Sequence, residues 1–167
     1  MNTENKLEWC KRAEQNEREF AVACYHRGIG VTRNVTKVTD VYAADLLATL
    51  PSDLKTVRTP FFTSSALGVP ASYAITLNVK DVQHYQQRHP IMLIFFDIQW
   101  DSQENYGTVV DAANTLRVAF LPTVVRWIKA NNVRRHTYAR RVDDTQGNAK
   151  DSYVLDYRWL EEIGEDV

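Results

Sequence analysis

Cysteine is scarce in this sequence, since only Cys10 and Cys24 occur among 167 residues. Neither belongs to a CxxC pair or to a Cys/His cluster with zinc spacing, which excludes a disulfide framework and argues against structural zinc. The longest apolar run, IMLIFF at 91–96, is about a third as long as a membrane-spanning helix. The polar N-terminus does not resemble a signal peptide. We therefore expect an intracellular, cytoplasmic protein in a reducing compartment, without membrane association.

Motifs of several enzyme classes are also missing. No GxxxxGK[ST] or GxGxxG loop occurs, which argues against a nucleotide cofactor. Ser64 and Ser65 lie in no GxSxG turn, so a serine hydrolase has no support. The four histidines show no HxxxH or HNH spacing. With 44% apolar and 25% charged residues, the composition is that of an ordinary globular protein, and the length predicts one domain.

Acidic residues are absent from 112–142, although the net charge of the chain is only −1. Such segregation can hide a positive face inside a near-neutral total. The basic residues of this stretch are Arg117, Arg126, Lys129, Arg134, Arg135, Arg140 and Arg141.

Alternation within residues 134–142 predicts a strand with a basic surface. One face would carry Arg134, His136, Tyr138 and Arg140, and the other would carry Arg135 and Arg141. A β-ribbon of this kind can lie along a DNA groove. The alternative is a solvated edge strand, whose charges prevent aggregation.

Hydrophobic periodicity predicts one α/β domain. Residues 4–27 favour a helix that stops at Gly28, and 30–39 favour an exposed strand. The next two segments, VYAADLLA and DLKTVRTPFF, predict a hairpin around Leu50-Pro51-Ser52. SYAITLN predicts a strand, VKDVQHYQQRH predicts a helix between Asn78 and Pro90, and IMLIFFDI predicts a central strand that is covered on both faces.

The C-terminal third predicts a mixed series of elements. We expect a polar loop at DSQENYG, a helix at LPTVVRWIKANN, a strand at RRHTYARRV, a turn, a short strand at SYVLD and a last helix at YRWLEEI.

The tripeptide Asp53-Leu54-Lys55 lies in the second strand of the predicted hairpin. Side chains at i and i+2 of a strand project together, and the hairpin would fold Asp45 back toward the pair. Adjacent carboxylates repel one another unless a cation joins them, and oxygen ligands suit Mg²⁺. Lys55 could then orient or help to deprotonate a metal-bound water, or balance the charge that builds on a phosphate. The alternative is an ordinary charged surface hairpin with an Asp–Lys pair.

These residues resemble the pattern of the PD-(D/E)xK nuclease superfamily, which has a restriction-endonuclease-like core. That pattern is a helix with an acid, a β-meander with an Asp and an acid-x-Lys pair, a helix and another strand. Asp45 matches the motif Asp, although Ala44 precedes it where the motif has proline, and Asp53 and Lys55 match acid-x-Lys. The resemblance covers about residues 10–98 and implies a central mixed β-sheet flanked by helices. Residues 99–167 would form a variable C-terminal part with the basic strand.

The helical acid of that pattern could be Glu17 or Glu19. Glu17 shares a helix face with Phe20, Ala21 and Cys24, whereas Glu19 projects about two hundred degrees away. We therefore predict that Glu17 supports the metal site, the alternative being an acid that pairs with an arginine or lysine.

The resemblance implies a Mg²⁺-dependent endodeoxyribonuclease, with Mn²⁺ as a substitute, that hydrolyses double-stranded DNA in a restriction-like, homing or phage-encoded role. Its metal ligands would be Asp45, Asp53 and Glu17, with Lys55 assisting the attacking water. Because cutting two strands takes two sites, we expect a homodimer or higher homo-oligomer. The alternatives are a non-catalytic nucleic-acid-binding protein on the same scaffold and a partner-inhibiting protein.

Further DNA contacts are predicted around this centre. Arg58 could grip a phosphate near the cut, but only if a bulge or a twist before Pro60 turns it to the face of Lys55. The loop hydroxyls of Thr63, Ser64 and Ser65 could contact the DNA backbone or the minor groove. Asp97, which ends the apolar strand, is a weaker candidate for the reaction centre.

Overall fold

A computed structural model describes residues 6–40, 42–138 and 151–164. The described residues form a mixed α/β structure with several small sheets, which confirms the predicted class. Contacts within the chain divide it into two compact units, residues 1–51 and 52–167. The restriction-endonuclease-like core and the single domain remain predictions. None of the helices in the described ranges is long and apolar enough to cross a membrane.

The first unit contains one helix and one pair of strands. Helix α1 (Lys6–Tyr25) is followed by Gly28 at φ 75°, a left-handed conformation that suits glycine at a helix end. Strands β1 (Gly30–Arg33) and β2 (Leu46–Thr49) pair antiparallel. A 3₁₀ helix, Val35–Val38, begins after Asn34, whose side chain accepts a hydrogen bond from the backbone N–H of Thr36. The predicted strand over 30–39 therefore ends early.

The second unit holds the remaining elements. In chain order they are β3 (Ser52–Val57), β4 (Ala74–Asn78), α2 (Val79–Arg88), β5 (Leu93–Trp100), β6 (Gln103–Asn105), β7 (Thr108–Val110), β8 (Ala113–Phe120), α3 (Leu121–Ala130), β9 (Arg135–His136), β10 (Ser152–Asp156) and β11 (Glu161–Glu162).

The largest sheet of the second unit has the strand order β11-β8-β5-β3. β5 lies parallel to β3 and antiparallel to β8. Ile94, Phe96 and Ile98 of β5 are fully buried, and the intervening side chains are half-buried. The predicted central strand at IMLIFFDI is thus confirmed, since β3 and β8 flank it, but only one of its faces is fully buried.

A second sheet has the order β4-β10-β9, and all its pairs are antiparallel. Alternate residues of β4 and β10, such as Ile75, Leu77 and Leu155, join the main core. Val124 and Ile128 of α3 pack into the same core. Val154 belongs instead to a smaller apolar cluster with Val69 and Ala74. Each face of this sheet therefore has its own packing partner.

The predicted hairpin at Pro51 is wrong. β2 pairs with β1, and β3 pairs in parallel with β5, with Asp53 opposite Ile94 and Lys55 opposite Phe96. An apolar strand such as β5 needs a neighbouring strand along each edge, and β3 is the neighbour along one edge. The alternation that predicted a strand at 52–57 is present, but the strand's partner lies far along the chain.

The C-terminal predictions are partly corrected. The predicted last helix is wrong, because Tyr157–Trp159 form a 3₁₀ turn after Asp156 and β11 follows it. The stretch at 113–120, for which no strand was predicted, forms β8. The predicted polar loop contains a β6–β7 hairpin, with Tyr106 and Gly107 at φ 50° and 71° as in a type I′ turn.

Candidate functional site

Asp53 and Lys55 project together from β3, as predicted. Asp53, Lys55 and Val57 are half-buried, whereas the residues between them are exposed. Because Asp53 and Lys55 lie opposite Ile94 and Phe96 of β5, both charges stand at the margin of the apolar core. Charges in such a place need partners.

Helix α2 supplies those partners. Asp81 and Tyr85 are four residues apart, which places them on one helix face. The Lys55 Nζ atom lies 2.7 Å from Asp81 Oδ2, 2.9 Å from Asp53 Oδ2 and 3.1 Å from the Tyr85 hydroxyl oxygen. The Tyr85 hydroxyl in turn donates a 2.6 Å hydrogen bond to Asp53 Oδ2. An ammonium group has three N–H donors, and each has an acceptor here.

The pKa values of this cluster respond to burial and to its hydrogen bonds. Burial acts to lower the pKa of Lys55, but hydrogen bonds to Asp81, Asp53 and Tyr85 outweigh it and hold that pKa above its ordinary value. Burial acts to raise the pKa of Asp53, but Tyr85 and Lys55 bring that pKa below its usual value. Burial, together with the hydrogen bond to Asp53, raises the pKa of Tyr85. Lys55 is therefore an ammonium and Asp53 a carboxylate at neutral pH.

Asp45 belongs to the first unit, where it directly precedes β2. Its Oδ1 atom lies 3.0 Å from Lys37 Nζ, and its side chain is 69% exposed. The hairpin that was to bring Asp45 to Lys55 is not formed. Its predicted role as a metal ligand thus rests on the resemblance alone.

Glu17 also lies in the first unit and is half-buried, whereas Glu19 is exposed. Glu17 Oε2 lies 3.1 Å from Arg33 Nε, without the alignment of a hydrogen bond. Glu19 accepts a hydrogen bond from Gln15. The arginine pair that was the alternative for Glu17 is present, and Phe20 on the same predicted face is 55% exposed.

The carboxylates of the described residues offer few sites to a metal ion. No group of three or more His, Cys, Asp or Glu side chains in the described ranges is arranged to hold one. Asp53 and Asp81 are the two carboxylates that flank Lys55. Mg²⁺ is commonly held by one or two carboxylates, with water and phosphate oxygens in its other positions. This pair matches Mg²⁺ in ligand type and number, and the Oδ2 atom of each carboxylate faces the Lys55 ammonium.

Arg58 does not reach the cluster. The β3–β5 register is regular through Val57, without the bulge that the predicted phosphate contact required. The Arg58 guanidinium instead donates to the backbone and side-chain oxygens of Asp97. Asp97 stands opposite Thr56, on the sheet face away from Lys55. This pairing also separates Asp97 from the candidate centre.

Within the described residues, which reach 138 here, the basic segment is only partly a strand. Arg140 and Arg141 lie outside the described residues, and β9 comprises Arg135–His136. Arg134 donates a 3.1 Å hydrogen bond to the Ala66 carbonyl. Arg135 lies over the Tyr153 ring, with 5.2 Å between its Cζ atom and the ring centroid.

Of the loop hydroxyls, Thr63 and Ser65 are exposed. Ser64 is fully buried, and its hydroxyl donates a 2.8 Å hydrogen bond to the Val69 carbonyl. The predicted contact of Ser64 with DNA is therefore wrong, because this hydroxyl holds the loop together.

Sequence reasoning missed Asp81 and Tyr85. Their spacing on a predicted helix was the available signal, since four residues place both on one face. The sequence of these segments did not predict the parallel pairing of β3 with β5, which places α2 beside β3.

Comparisons with known proteins add no relative. The chain matches no protein-family model, no curated protein and no solved structure.

Proposed function

We propose that the protein is a Mg²⁺-dependent endonuclease with its reaction centre at Lys55, Asp53 and Asp81. The observation that carries this proposal is the half-buried ammonium shared by two carboxylates at the margin of an apolar core. Apolar side chains of similar size at such positions often stabilise a protein as well as an ion pair does, or better. An ionic cluster there therefore favours a chemical role.

Asp53 and Asp81 would hold the metal, and phosphate oxygens of the substrate with water would complete its coordination. When bound, Mg²⁺ supplies charge neutralisation at the phosphate and lowers the pKa of a bound water. The metal-ligand roles that the resemblance implies for Asp45 and Glu17 remain predictions.

Lys55 acts in this proposal as a cation rather than as a base. Its raised pKa keeps the ammonium protonated, so it cannot accept a proton from water at neutral pH. It would instead balance the negative charge that develops on the phosphate as the phosphodiester bond is cut.

The proposed substrate is double-stranded DNA, and the proposed assembly is a homodimer or higher homo-oligomer with one centre for each strand. A restriction-like or homing role fits such an enzyme.

Plasmid nicking tests the proposal. Supercoiled plasmid is incubated with Mg²⁺ or Mn²⁺ and with wild-type protein, Asp53→Asn or Asp81→Asn. We expect nicking by the wild type, its loss in EDTA and a decrease of about a hundredfold or more in each variant. Asp101→Asn is the matched control, because Asp101 is exposed and lies outside the cluster. Equal nicking by wild type and Asp53→Asn, or no nicking at all, would refute the enzyme.

A second candidate is a nucleic-acid-binding protein without catalysis. Binding is favoured by the basic stretch 112–142, which contains no acidic residue. The absence of catalysis is favoured by the pairing of Lys55, whose three N–H donors have acceptors in the cluster. This candidate predicts salt-sensitive binding of DNA and no metal-dependent nicking.

A further inference from the structure

Three aromatic rings form a row on one side of the β4-β10-β9 sheet. The His136 ring lies 4.8 Å from the ring of Phe61 and 4.5 Å from that of Tyr138, measured between centroids, and both pairs meet edge to face. Such contacts orient the rings relative to one another. The row joins a loop residue, a strand residue and the segment that follows the strand.

The row is anchored at one end and open at the other. Phe61 packs against the apolar cluster of Val69, Ala74 and Val154. His136 is half-buried, and Tyr138 is 38% exposed. His136 and Tyr138 therefore have accessible surface, while the contact with Phe61 fixes the position of the row.

A cation and hydroxyl groups border the same row. Arg134 is two residues before His136, and its guanidinium binds the carbonyl of Ala66 in the loop that follows Phe61. Thr63 and Ser65 of that loop are exposed. The buried Ser64 hydroxyl, which donates to the Val69 carbonyl, ties the loop to the sheet. Two segments far apart in sequence thus form one surface.

Aromatic rings beside a guanidinium suit unpaired nucleotides. A base exposes its flat faces only when it is unpaired and unstacked, and stacking on protein aromatics tolerates any base. Reading a duplex groove requires a protruding helix or ribbon, whereas β9 has only two residues in the described ranges.

We infer that the surface formed by Phe61, His136, Tyr138 and Arg134 binds an unpaired stretch of nucleic acid. Bases stack on Tyr138 and His136, and Arg134 binds the backbone phosphates. This inference rests on the proposed function for nucleic acid as the ligand, and it adds that the substrate carries a single-stranded segment.

Fluorescence anisotropy in EDTA tests the inference without cleavage. The probes are labelled 20-nucleotide oligo-dT and oligo-U and a 20-base-pair DNA duplex, each at two salt concentrations. We expect wild-type protein to bind oligo-dT about tenfold or more tightly than the duplex. Tyr138→Ala and His136→Ala should each weaken oligo-dT binding about tenfold through the loss of one stacked base. The oligo-U probe distinguishes RNA from DNA as the source of the strand.

Two control variants separate stacking from general effects. Tyr106→Asn removes an exposed ring in the β6–β7 turn, where asparagine tolerates the positive φ, and Arg126→Ala removes an exposed charge on α3. Both should bind oligo-dT within about twofold of wild type, whereas Arg134→Ala should weaken binding and flatten its salt dependence.

Equal affinity for duplex and single strand, or wild-type binding by Tyr138→Ala, would overturn the inference. Absence of binding at low salt would do the same. Because the anisotropy assay needs no metal, its result can be interpreted even if plasmid nicking fails. Nicking that persists while oligo-dT binding fails removes this inference alone.

Discussion

Two Asp–Lys pairs of nearly equal length occupy very different surroundings. Asp45 and Lys37 are 3.0 Å apart with the Asp45 side chain 69% exposed, while Asp53 and Lys55 are 2.9 Å apart with Asp53 31% exposed. The second pair is joined by another carboxylate and a phenol, Asp81 and Tyr85. An exposed ion pair contributes little to stability, whereas a partly buried network depends on every member.

Lys55→Met should give the largest change. Methionine fills similar space but leaves Asp53 and Asp81 without their shared cation. We expect a loss of about 2 kcal/mol in the free energy of unfolding at pH 7, measured by urea denaturation. Lys129→Met, which changes an exposed lysine on α3, should stay within about 0.5 kcal/mol. Equal losses in both variants would show that the cluster is energetically ordinary.

Asp53→Asn should destabilise the protein by about 1.5 kcal/mol at pH 7, since hydrogen bonds to a charged group are lost. The effect depends on pH with a definite sign. The folded-state pKa of Asp53 lies below the ordinary value of 3.8, so its stabilisation is present above 3.8 and disappears as pH falls through the folded pKa. Urea titrations of wild type and variant should therefore converge below pH 3.8. A constant difference across that range would contradict the assignment.

Tyr85→Phe removes only the bridging hydroxyl. We expect a loss of about 1 kcal/mol, and the pKa of Asp53 should rise toward its ordinary value, as followed by carboxyl NMR titration. Tyr106→Phe, at an exposed turn, is the control and should change neither quantity. An unshifted Asp53 titration would mean that the phenol does not stabilise the carboxylate.

Asp45→Asn should have the smallest effect on folding, at most about 0.5 kcal/mol, because its ion pair is exposed. The same variant sharpens the comparison through activity. If Asp45 is a metal ligand, plasmid nicking is lost while the thermal unfolding midpoint stays within about two degrees of wild type. If Asp45→Asn nicks plasmid as well as wild type does, Asp45 is not a metal ligand, and its ion pair with Lys37 has no part in catalysis.

Local signals predicted much of the secondary structure. The cap at Asn78, the apolar run of β5 and the glycine after α1 each carry their own physical cause within a few residues. The projection of Asp53 and Lys55 to one face likewise needs only strand periodicity. These predictions are confirmed because each rests on local geometry.

Strand partners could not be predicted in the same way. A hairpin between residues 41–48 and 53–62 is the shortest connection, but β3 instead pairs with a strand some forty residues later. That choice brings α2 over β3 and supplies Asp81 and Tyr85. The same choice removes the hairpin on which the predicted proximity of Asp45 and Lys55 was based. The gain from covering an apolar strand exceeds the entropy cost of the longer loop, and no short window of sequence reveals that balance.

The parallel pairing of β3 and β5 has a consequence for assembly during folding. Parallel neighbours cannot be joined by a tight turn, so β3 and β5 are connected by a long stretch of chain that includes β4 and α2. Within that connection, 26 positions separate Lys55 from Asp81 and 30 separate it from Tyr85, so each contact closes a loop of that length. The ionic cluster is therefore a set of long-range contacts whose loop-closure entropy slows their formation, and the chemistry proposed for Lys55 depends on those contacts.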